Sequence, residues 1–214
     1  MFAPGPTPLQ LGFAGASGLS APHLSVDGMT PRGPNLSHWP GNRTPAKWKA
    51  DLSTGIALRF ARAPAPERQQ FLGDAELVVN DHYDTDGFGS LLAVLRPDLA
   101  FTREELLLAA AATGDYGSWQ TWRGFAIDRI VAGLANGDSP VAKEFAGLDG
   151  PTKSLARYRW LLDHATEVLD APQQFAEIAR RGRLPVPDFV LLRVHVFLAT
   201  RLPGLAQKTF ERGP

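Results

Sequence analysis

The chain has 214 residues, of which 44% are hydrophobic and 21% are charged, so it can bury a core and is not a disordered chain. Its 22 basic residues balance 22 acidic ones, which excludes the overall positive field expected of an extended nucleic-acid surface. It has no cysteine, which excludes disulfides and thiolate metal sites and leaves His and carboxylates as metal ligands.

The N-terminal region shows neither a targeting signal nor a membrane segment. The first basic residue is Arg32, so the charged start of a signal peptide is missing. No apolar run approaches the roughly 20 residues that cross a bilayer. We therefore expect a cytoplasmic protein without a membrane partner.

Residues 1–34 contain six Pro and six Gly, which predicts a flexible Pro/Gly-rich N-terminal arm. Residues 35–214 are then expected to form a single α/β domain. The basic, apolar C-terminal end leaves open that this domain is truncated and that a downstream domain is missing.

Local patterns predict the elements that follow the arm. Thr44 and Pro45 are typical of a helix start and predict a helix between Pro45 and Ala61, before a short one from Glu67 to Leu72. Residues 75–79 form a short β-branched run, which predicts a buried strand. Residues 90–95 are apolar and predict a helix that stops at Pro97.

The second half is expected to be mainly helical. Thr102 and Glu105 form a capping box for a helix that Gly114 would end. Apolar residues at helical spacing predict helices over residues 122–134 and 158–169. Residues 189–199 predict a second strand, and an exposed edge of that strand would favour self-association. The fold class is therefore α/β, a helix-rich layered domain with a small, mainly parallel sheet.

The segment VVNDHYDTDGFGS, residues 78–90, carries the strongest functional signal. A buried strand runs into a turn in which His82, Asp84 and Asp86 are spaced by two, so an extended backbone places them on one side. Carboxylates with an imidazole suit Mn²⁺, Mg²⁺ or Fe²⁺, and a second ion roughly 3.5–4 Å away would support phosphoester chemistry.

Three other interpretations compete for this turn. An EF-hand with Gly87 at its sixth position would need a glutamate where Ala93 stands. A haloacid-dehalogenase-like motif would need an aspartate directly after the strand and a hydroxyl residue in place of Phe88. The simplest alternative is an Asp-rich loop that caps the following helix without any metal.

The segment HYDTDGFGS resembles the first motif of the DHH phosphoesterases, DxDxDG or HxxxDxDxxGS, through Asp84, Asp86, Gly89 and Ser90. His82 stands where the first form has its leading aspartate, and Asn80 holds the outlying position of the second. The resemblance implies a DHH-phosphoesterase-like N-terminal fold and one or two Mn²⁺ (or Mg²⁺ or Fe²⁺) ions. It also implies hydrolysis of a phosphodiester or phosphoanhydride in a small nucleotide-type substrate. Together with HWPGNRTP, the segment NDHYDTDG also resembles an uncharacterised bacterial family.

These patterns give a set of candidate site residues. Asp84 and Asp86 are the predicted catalytic residues. A metal-activated water would attack phosphorus, and a small phosphorylated substrate is the expected partner. The predicted metal ligands are His82, Asp84 and Asp86, with Asp81 and Asp115, and the predicted phosphate contacts are Arg43, Asn42, Gly89 and Ser90.

Other histidines and acids are weaker candidates than this set. His38 would add a ligand if the HWPGNRTP loop folds over the turn, whereas the alternative is a purely structural loop. Asp163 and His164 rank below Asp115 because they lie within a helical stripe, and His23 and His195 have structural interpretations only. The rival function is a non-catalytic nucleotide- or partner-binding protein that retains a degenerate DHH-like fold.

Overall fold

A computed structural model describes residues 9–15, 19–118, 120–135 and 141–171. Short strands form a four-stranded sheet at its centre, and every pairing in it is parallel. The strands, in the sheet order β1-β4-β2-β3, are β1 (Gln10–Phe13), β2 (His23–Val26), β3 (Asn35–Leu36) and β4 (Leu77–Asn80).

Helices make up most of the rest of the described chain. They are α1 (Ser53–Arg62), α2 (Ala65–Leu72), α3 (Thr85–Leu95), α4 (Pro97–Thr102), α5 (Glu104–Tyr116), α6 (Trp122–Leu134) and α7 (Gly150–Asp163), with short 3-10 helices at Ala46–Trp48 and Ala142–Phe145. Residues 165–171 are helical as well. In the described ranges, no helix combines the length and the apolar character that crossing a bilayer requires.

The predicted fold class is confirmed: the domain is helix-rich α/β with a small parallel sheet. Helices α3 and α7 pack on the sheet, α1 packs on α3, and α5 packs on both α3 and α6. Leu24 and Val78, neighbours in the register of β2 and β4, are fully buried. Val78 and Val79 are adjacent in β4 and so lie on opposite faces, and both are fully buried and apolar, as expected of a parallel strand covered on both sides.

The predicted flexible arm over residues 1–34 does not agree with the structure, because β1 and β2 both come from it. All four residues of β2 are buried, and β2 pairs with both β3 and β4. The Pro and Gly residues flank these strands, although Gly12 lies within β1. A four-residue strand of mixed polarity has no local periodicity, and pairing with β4 is what fixes it.

Several predicted element boundaries differ from those observed. Pro45 begins only a 3-10 turn, and the helix predicted there starts at Ser53. Gly114 lies inside α5, which ends at Gly117 with φ 62°, and Thr102 belongs to α4. The predicted strand over residues 189–199 lies outside the described residues. Helix α6 matches its predicted span, and α2 and β4 lie close to theirs. Helices α3 and α7 begin earlier than predicted, at Thr85 and Gly150, and α7 ends at Asp163.

The contact between α1 and α3 is close enough to require glycine. A Cβ at Gly89 would lie 2.2 Å from Thr54 Oγ1, in a fully buried interface. The Thr54 hydroxyl cannot move away freely, because it donates to the Asp86 carbonyl at 3.1 Å. This contact fixes the start of α1 against the start of α3.

We therefore expect Gly89→Ala to lower the free energy of unfolding by about 1–3 kcal/mol, because an extra methyl group overpacks the interface. The matched control is Gly133→Ala, also in a helix but with nothing within 4 Å of the added Cβ. That change should stabilise by up to about 1 kcal/mol, through helix propensity. Chemical denaturation of both variants measures the difference, and equal effects would show that the α1–α3 contact tolerates a methyl group.

Candidate metal centre

Three parallel strands end at one edge of the sheet, and each is followed by candidate ligand side chains. Asp27 directly follows β2, His38 lies two residues after β3, and Asp81 and His82 directly follow β4. Loops beyond the carboxyl ends of parallel strands are where α/β folds gather their sites. Asp84 and Asp86 at the start of α3 and Asp115 at the end of α5 lie beside these side chains. All seven residues together are called the acidic cluster: Asp27, His38, Asp81, His82, Asp84, Asp86 and Asp115.

His82 lies among three carboxylates. Its Nε2 is 2.9 Å from Asp84 Oδ2 and 3.1 Å from Asp27 Oδ2, and its Nδ1 is 2.6 Å from Asp81 Oδ1. Burial by itself would lower the pKa of His82, but hydrogen bonds to the three carboxylates outweigh burial and raise the pKa to about 12. The ring is therefore protonated at neutral pH and attracts the three carboxylates around it.

Asp86 is fully buried at the N-terminus of α1. Its two carboxylate oxygens accept the backbone N–H groups of Ser53 at 2.8 Å and Thr54 at 2.7 Å. The unpaired N–H groups of a helix start favour a negative charge there, which explains why this carboxylate tolerates burial. Each oxygen keeps a further lone pair with which it can bind a cation.

His38 connects Asp86 to the end of α5. Its Nδ1 lies 3.3 Å from Asp86 Oδ2, and its Nε2 lies 3.5 Å from Asp115 Oδ2. The hydrogen bond to Asp86 raises the pKa of His38, against the opposing effect of burial. Burial, with the negative charge of Asp86, raises the pKa of Asp115 to about 7. The HWPGNRTP loop thus folds over the turn, as the additional-ligand interpretation of His38 requires.

Asp27 is the centre of the cluster. Its side chain is 1% exposed, its Oδ1 has no hydrogen-bond partner, and Asn80 Nδ2 donates to its Oδ2 at 3.3 Å. Burial, reinforced by the charges of Asp84 and Asp86, raises the pKa of Asp27 to about 6 although the hydrogen bond to His82 opposes this. Its backbone has φ 62°, a conformation uncommon outside glycine and often found at functional sites.

Two sets of three ligand-type side chains meet at Asp27. One set is Asp27, His82 and Asp84, the other is Asp27, His38 and Asp86, and within each set the ligand atoms lie within 4.8 Å of one another. Each set offers two carboxylate oxygens and one imidazole nitrogen, a donor combination that suits Mn²⁺, Fe²⁺ or Mg²⁺. The buried and unpartnered Oδ1 of Asp27 is the atom that a cation would satisfy.

Tyr158 and Asn80 hold the turn at residues 81–84 in place through hydrogen bonds. The Tyr158 hydroxyl accepts from Asp84 N and Asn80 Nδ2, both at 3.1 Å, and donates to the His82 carbonyl at 3.0 Å. Asn80 Oδ1 accepts from Asp81 N at 2.7 Å, so Asn80 shapes the turn while its amide also contacts Asp27. A Cβ at Gly87 would lie 2.1 Å from Asn80 Nδ2, which leaves no room for a side chain there.

Helix capping explains only part of the acidic turn. Asp84 Oδ1 accepts from Gly87 N at 2.8 Å and so caps α3, as the metal-free alternative predicted. Its other oxygen, Oδ2, faces His82 instead. Asp86 caps a different helix, α1. Capping therefore leaves Asp27 and the two histidines without an explanation.

The structure distributes the other predicted ligands around these two sets. Asp81 binds the far nitrogen of His82 and its Oδ2 accepts from Met29 N at 3.0 Å, so it is placed to orient the ring. Asp115 contacts the cluster through His38. Asp163 is the last residue of α7 and His164 follows it. His164 stacks on Trp160, and Asp163 faces Arg96.

The predicted phosphate contacts are engaged elsewhere. Arg43 donates to the Thr30 and Gly33 carbonyls, at 2.8 and 3.1 Å, and Asn42 closes the turn by donating to the Trp39 carbonyl at 2.7 Å. The other two predicted contacts, Gly89 and Ser90, are buried in α3. These four residues build the framework around the cluster in this conformation.

Sequence reasoning missed Asp27 and Tyr158. Asp27 follows the segment HLSV just as Asp81 follows LVVN, and that parallel was the available signal. Tyr158 has the spacing of a core residue, and nothing in the sequence shows that its hydroxyl reaches residues 82–84. His23, bonded through Nε2 to Thr30 Oγ1 at 2.9 Å, has the structural role that was expected.

A cavity of about 510 Å³ lies apart from these groups and includes Arg103, Glu104 and Arg123 in its walls. None of the cluster residues lines it. The concentration of carboxylates and imidazoles at the sheet edge, rather than the size of this cavity, therefore identifies the candidate site.

Removal of the Tyr158 hydroxyl should destabilise the turn. Tyr158→Phe leaves Asn80 Nδ2 and Asp84 N without this buried acceptor, so we expect a loss of about 1–3 kcal/mol in the free energy of unfolding. Tyr83→Phe is the matched control, since its hydroxyl meets a single carbonyl, that of Val131, at 2.9 Å. Denaturation curves that show no larger loss for Tyr158→Phe would contradict this role.

Metal binding should release protons. At pH 7 His82 carries a proton because its pKa is raised to about 12, and only the neutral ring can ligate a metal. Lower pH therefore competes with the metal, and the apparent Mn²⁺ affinity should rise between roughly pH 6 and pH 8. Calorimetry in buffers of different ionisation enthalpy measures the release, at about one proton or more per chain. Heats that do not depend on the buffer would contradict the involvement of His82.

Comparison with known proteins places the chain in a family but brings no activity with it. No curated protein and no solved structure matches the chain. The sequence profile of a family described as "Family of unknown function (DUF6687)" matches residues 11–183, which include the whole acidic cluster. The expected membership of an uncharacterised family is thereby confirmed, and the resemblance to DHH phosphoesterases stays a prediction. The chain belongs to the family of unknown function DUF6687.

Proposed function

We propose that this protein is a metal-dependent phosphoesterase-like hydrolase that cleaves a phosphodiester or phosphoanhydride bond in a small nucleotide-type substrate. The observation that carries the proposal is the buried carboxylate of Asp27, which belongs to both three-residue ligand sets. A carboxylate shared between two ions would hold them close together, as a two-metal hydrolytic site requires. The resemblance of residues 82–90 to the first DHH motif supports the same chemistry.

The charge of the cluster favours cations. Five aspartates and two histidines come together, and within the described residues no lysine or arginine forms an ion pair with any of the five. Buried carboxylates without a compensating charge are unfavourable unless they are protonated or bind a cation. Two divalent ions would supply that compensation.

The metal ions would make water a nucleophile near neutral pH and neutralise charge on the phosphoryl group. The chain supplies the rest of the site. Asp81 orients His82 from its far side, Asp115 does the same for His38, and the α1 start fixes Asp86. Supports of this kind keep ligands in place before the metal arrives.

The rival proposal is a non-catalytic protein that binds a nucleotide or a partner on a degenerate DHH-like fold. The observation that favours it is the placement of Arg43, whose guanidinium donates to two backbone carbonyls and is not directed to the cluster as a phosphate clamp. Under this proposal, metal and phosphate compounds bind but no bond is broken.

Metal content of Asp27→Asn separates the metal proposal from a purely structural cluster. Because both ligand sets use Asp27, this one change should remove both ions, whereas Asp84→Asn or Asp86→Asn should weaken mainly one. Asp74→Asn is the matched control, since Asp74 is exposed and lies before β4 rather than after it. Elemental analysis of protein purified without chelator gives the stoichiometry.

Hydrolysis of bis(p-nitrophenyl) phosphate with Mn²⁺ tests catalysis in the same samples. We expect Asp27→Asn to lower turnover by about a hundredfold or more, and Asp74→Asn to leave it unchanged. Fewer than one Mn, Fe or Mg per chain, unaffected by replacing Asp84 and Asp86 together, would rule out the metal site. Metal at full occupancy without turnover of phosphodiesters or dinucleotides would instead favour the rival.

A further inference from the structure

Two exposed aromatic side chains flank the acidic cluster. Trp39 is 44% exposed and Tyr116 is 57% exposed, and they are the large hydrophobic side chains that stand out as exposed in the described part of the chain. Trp39 lies on the loop after β3, and Tyr116 is the last residue of α5. An exposed indole offers a broad flat face, and here that face lies beside the acidic cluster.

The indole contacts both histidines of the two ligand sets. Its ring is nearly parallel to that of His38, at an angle of 8° and a centroid distance of 6.4 Å. Its centroid is 5.4 Å from that of His82. Tyr116 reaches the same histidine from another direction, with its centroid 6.3 Å from that of His38. A group bound between the two histidines therefore lies beside the indole.

The loop holds Trp39 in place without burying it. Its backbone N–H donates to Ser37 Oγ at 3.1 Å, and Asn42 donates to its carbonyl through both its backbone and its side chain, at 3.1 and 2.7 Å. Tyr116 is tethered as well, because its hydroxyl donates to the Asp51 carbonyl. The backbone of Trp39 and the ring of Tyr116 are thus held in place, which lowers the entropic cost of ligand binding.

We infer that Trp39 is a stacking platform for a planar ring of the substrate, so that the site selects phosphate compounds that carry such a ring, as nucleotides do. The inference rests on the proposed function, because the acidic cluster repels a phosphate group until cations occupy it. The metal end would hold the phosphate, and the indole would hold the ring at the other end of the same small molecule. Every base offers a flat face, so stacking sets the class of substrate without specifying one base.

The test compares a phosphate compound that carries a planar base with one that lacks the base. Adenosine 5′-monophosphate and ribose 5-phosphate are titrated into the full chain, loaded with Mn²⁺, by isothermal calorimetry. We expect the nucleotide to bind about tenfold more tightly, which is the usual size of a base–aromatic contact. Trp39→Leu keeps apolar bulk but has no flat face, and it should abolish this preference. Trp39→Phe should keep most of it, and neither change should alter the affinity for ribose 5-phosphate.

The outcomes separate this inference from the proposed function. Equal affinity of the two ligands for the unaltered protein, or a preference that survives in Trp39→Leu, overturns the stacking role and leaves the metal site untouched. Loss of Mn²⁺ from Trp39→Leu, measured on the same samples, would show that the indole only supports the histidines and would also overturn it. If neither phosphate binds to protein that holds Mn²⁺, the inference fails together with the proposed substrate class.

Discussion

The structure depends on one electrostatic problem, the concentration of carboxylates at the carboxyl edge of a small parallel sheet. Asp27 is the most constrained of them, since it is buried, has a left-handed backbone and keeps one oxygen unpartnered. The protonated imidazole of His82 offsets part of the charge. A fold that gathers this much negative charge around one buried acid is suited to release the proton of His82 and bind a cation in its place.

The same side chains serve the helices and the cluster. Asp84 caps α3 with one oxygen and faces His82 with the other, and Asp86 accepts from the start of α1 while it contacts His38. The capping and metal-binding interpretations of the turn are thus not exclusive. Capping fixes the carboxylates at little energetic cost, and a fixed carboxylate is a better ligand than a mobile one.

The packing around the cluster explains why glycine recurs there. Gly87 and Gly89 lie where the start of α3 meets Tyr158 and Thr54, and a methyl group at either would overlap with its neighbour. The glycines of the segment that resembles the first DHH motif therefore have a packing function in this chain. Tyr158 adds to the same arrangement by binding the turn from α7, far away in sequence.

The sequence by itself determined the helix-rich α/β class, a strand before the acidic turn and the closeness of His82 to Asp84, because those depend on local periodicity and on residues close together in the chain. Asp86, which was predicted to share an ion with these two residues, belongs to the other ligand set. Only the tertiary structure decided that β1 and β2 belong to the sheet, since their stability comes from pairing with β4. The same pairing brings Asp27 to the edge where His82 lies, across more than fifty residues. Local patterns carry no record of such contacts: the segment HLSVDG marks Asp27 as a candidate, but only the fold shows that it lies at the centre of the cluster.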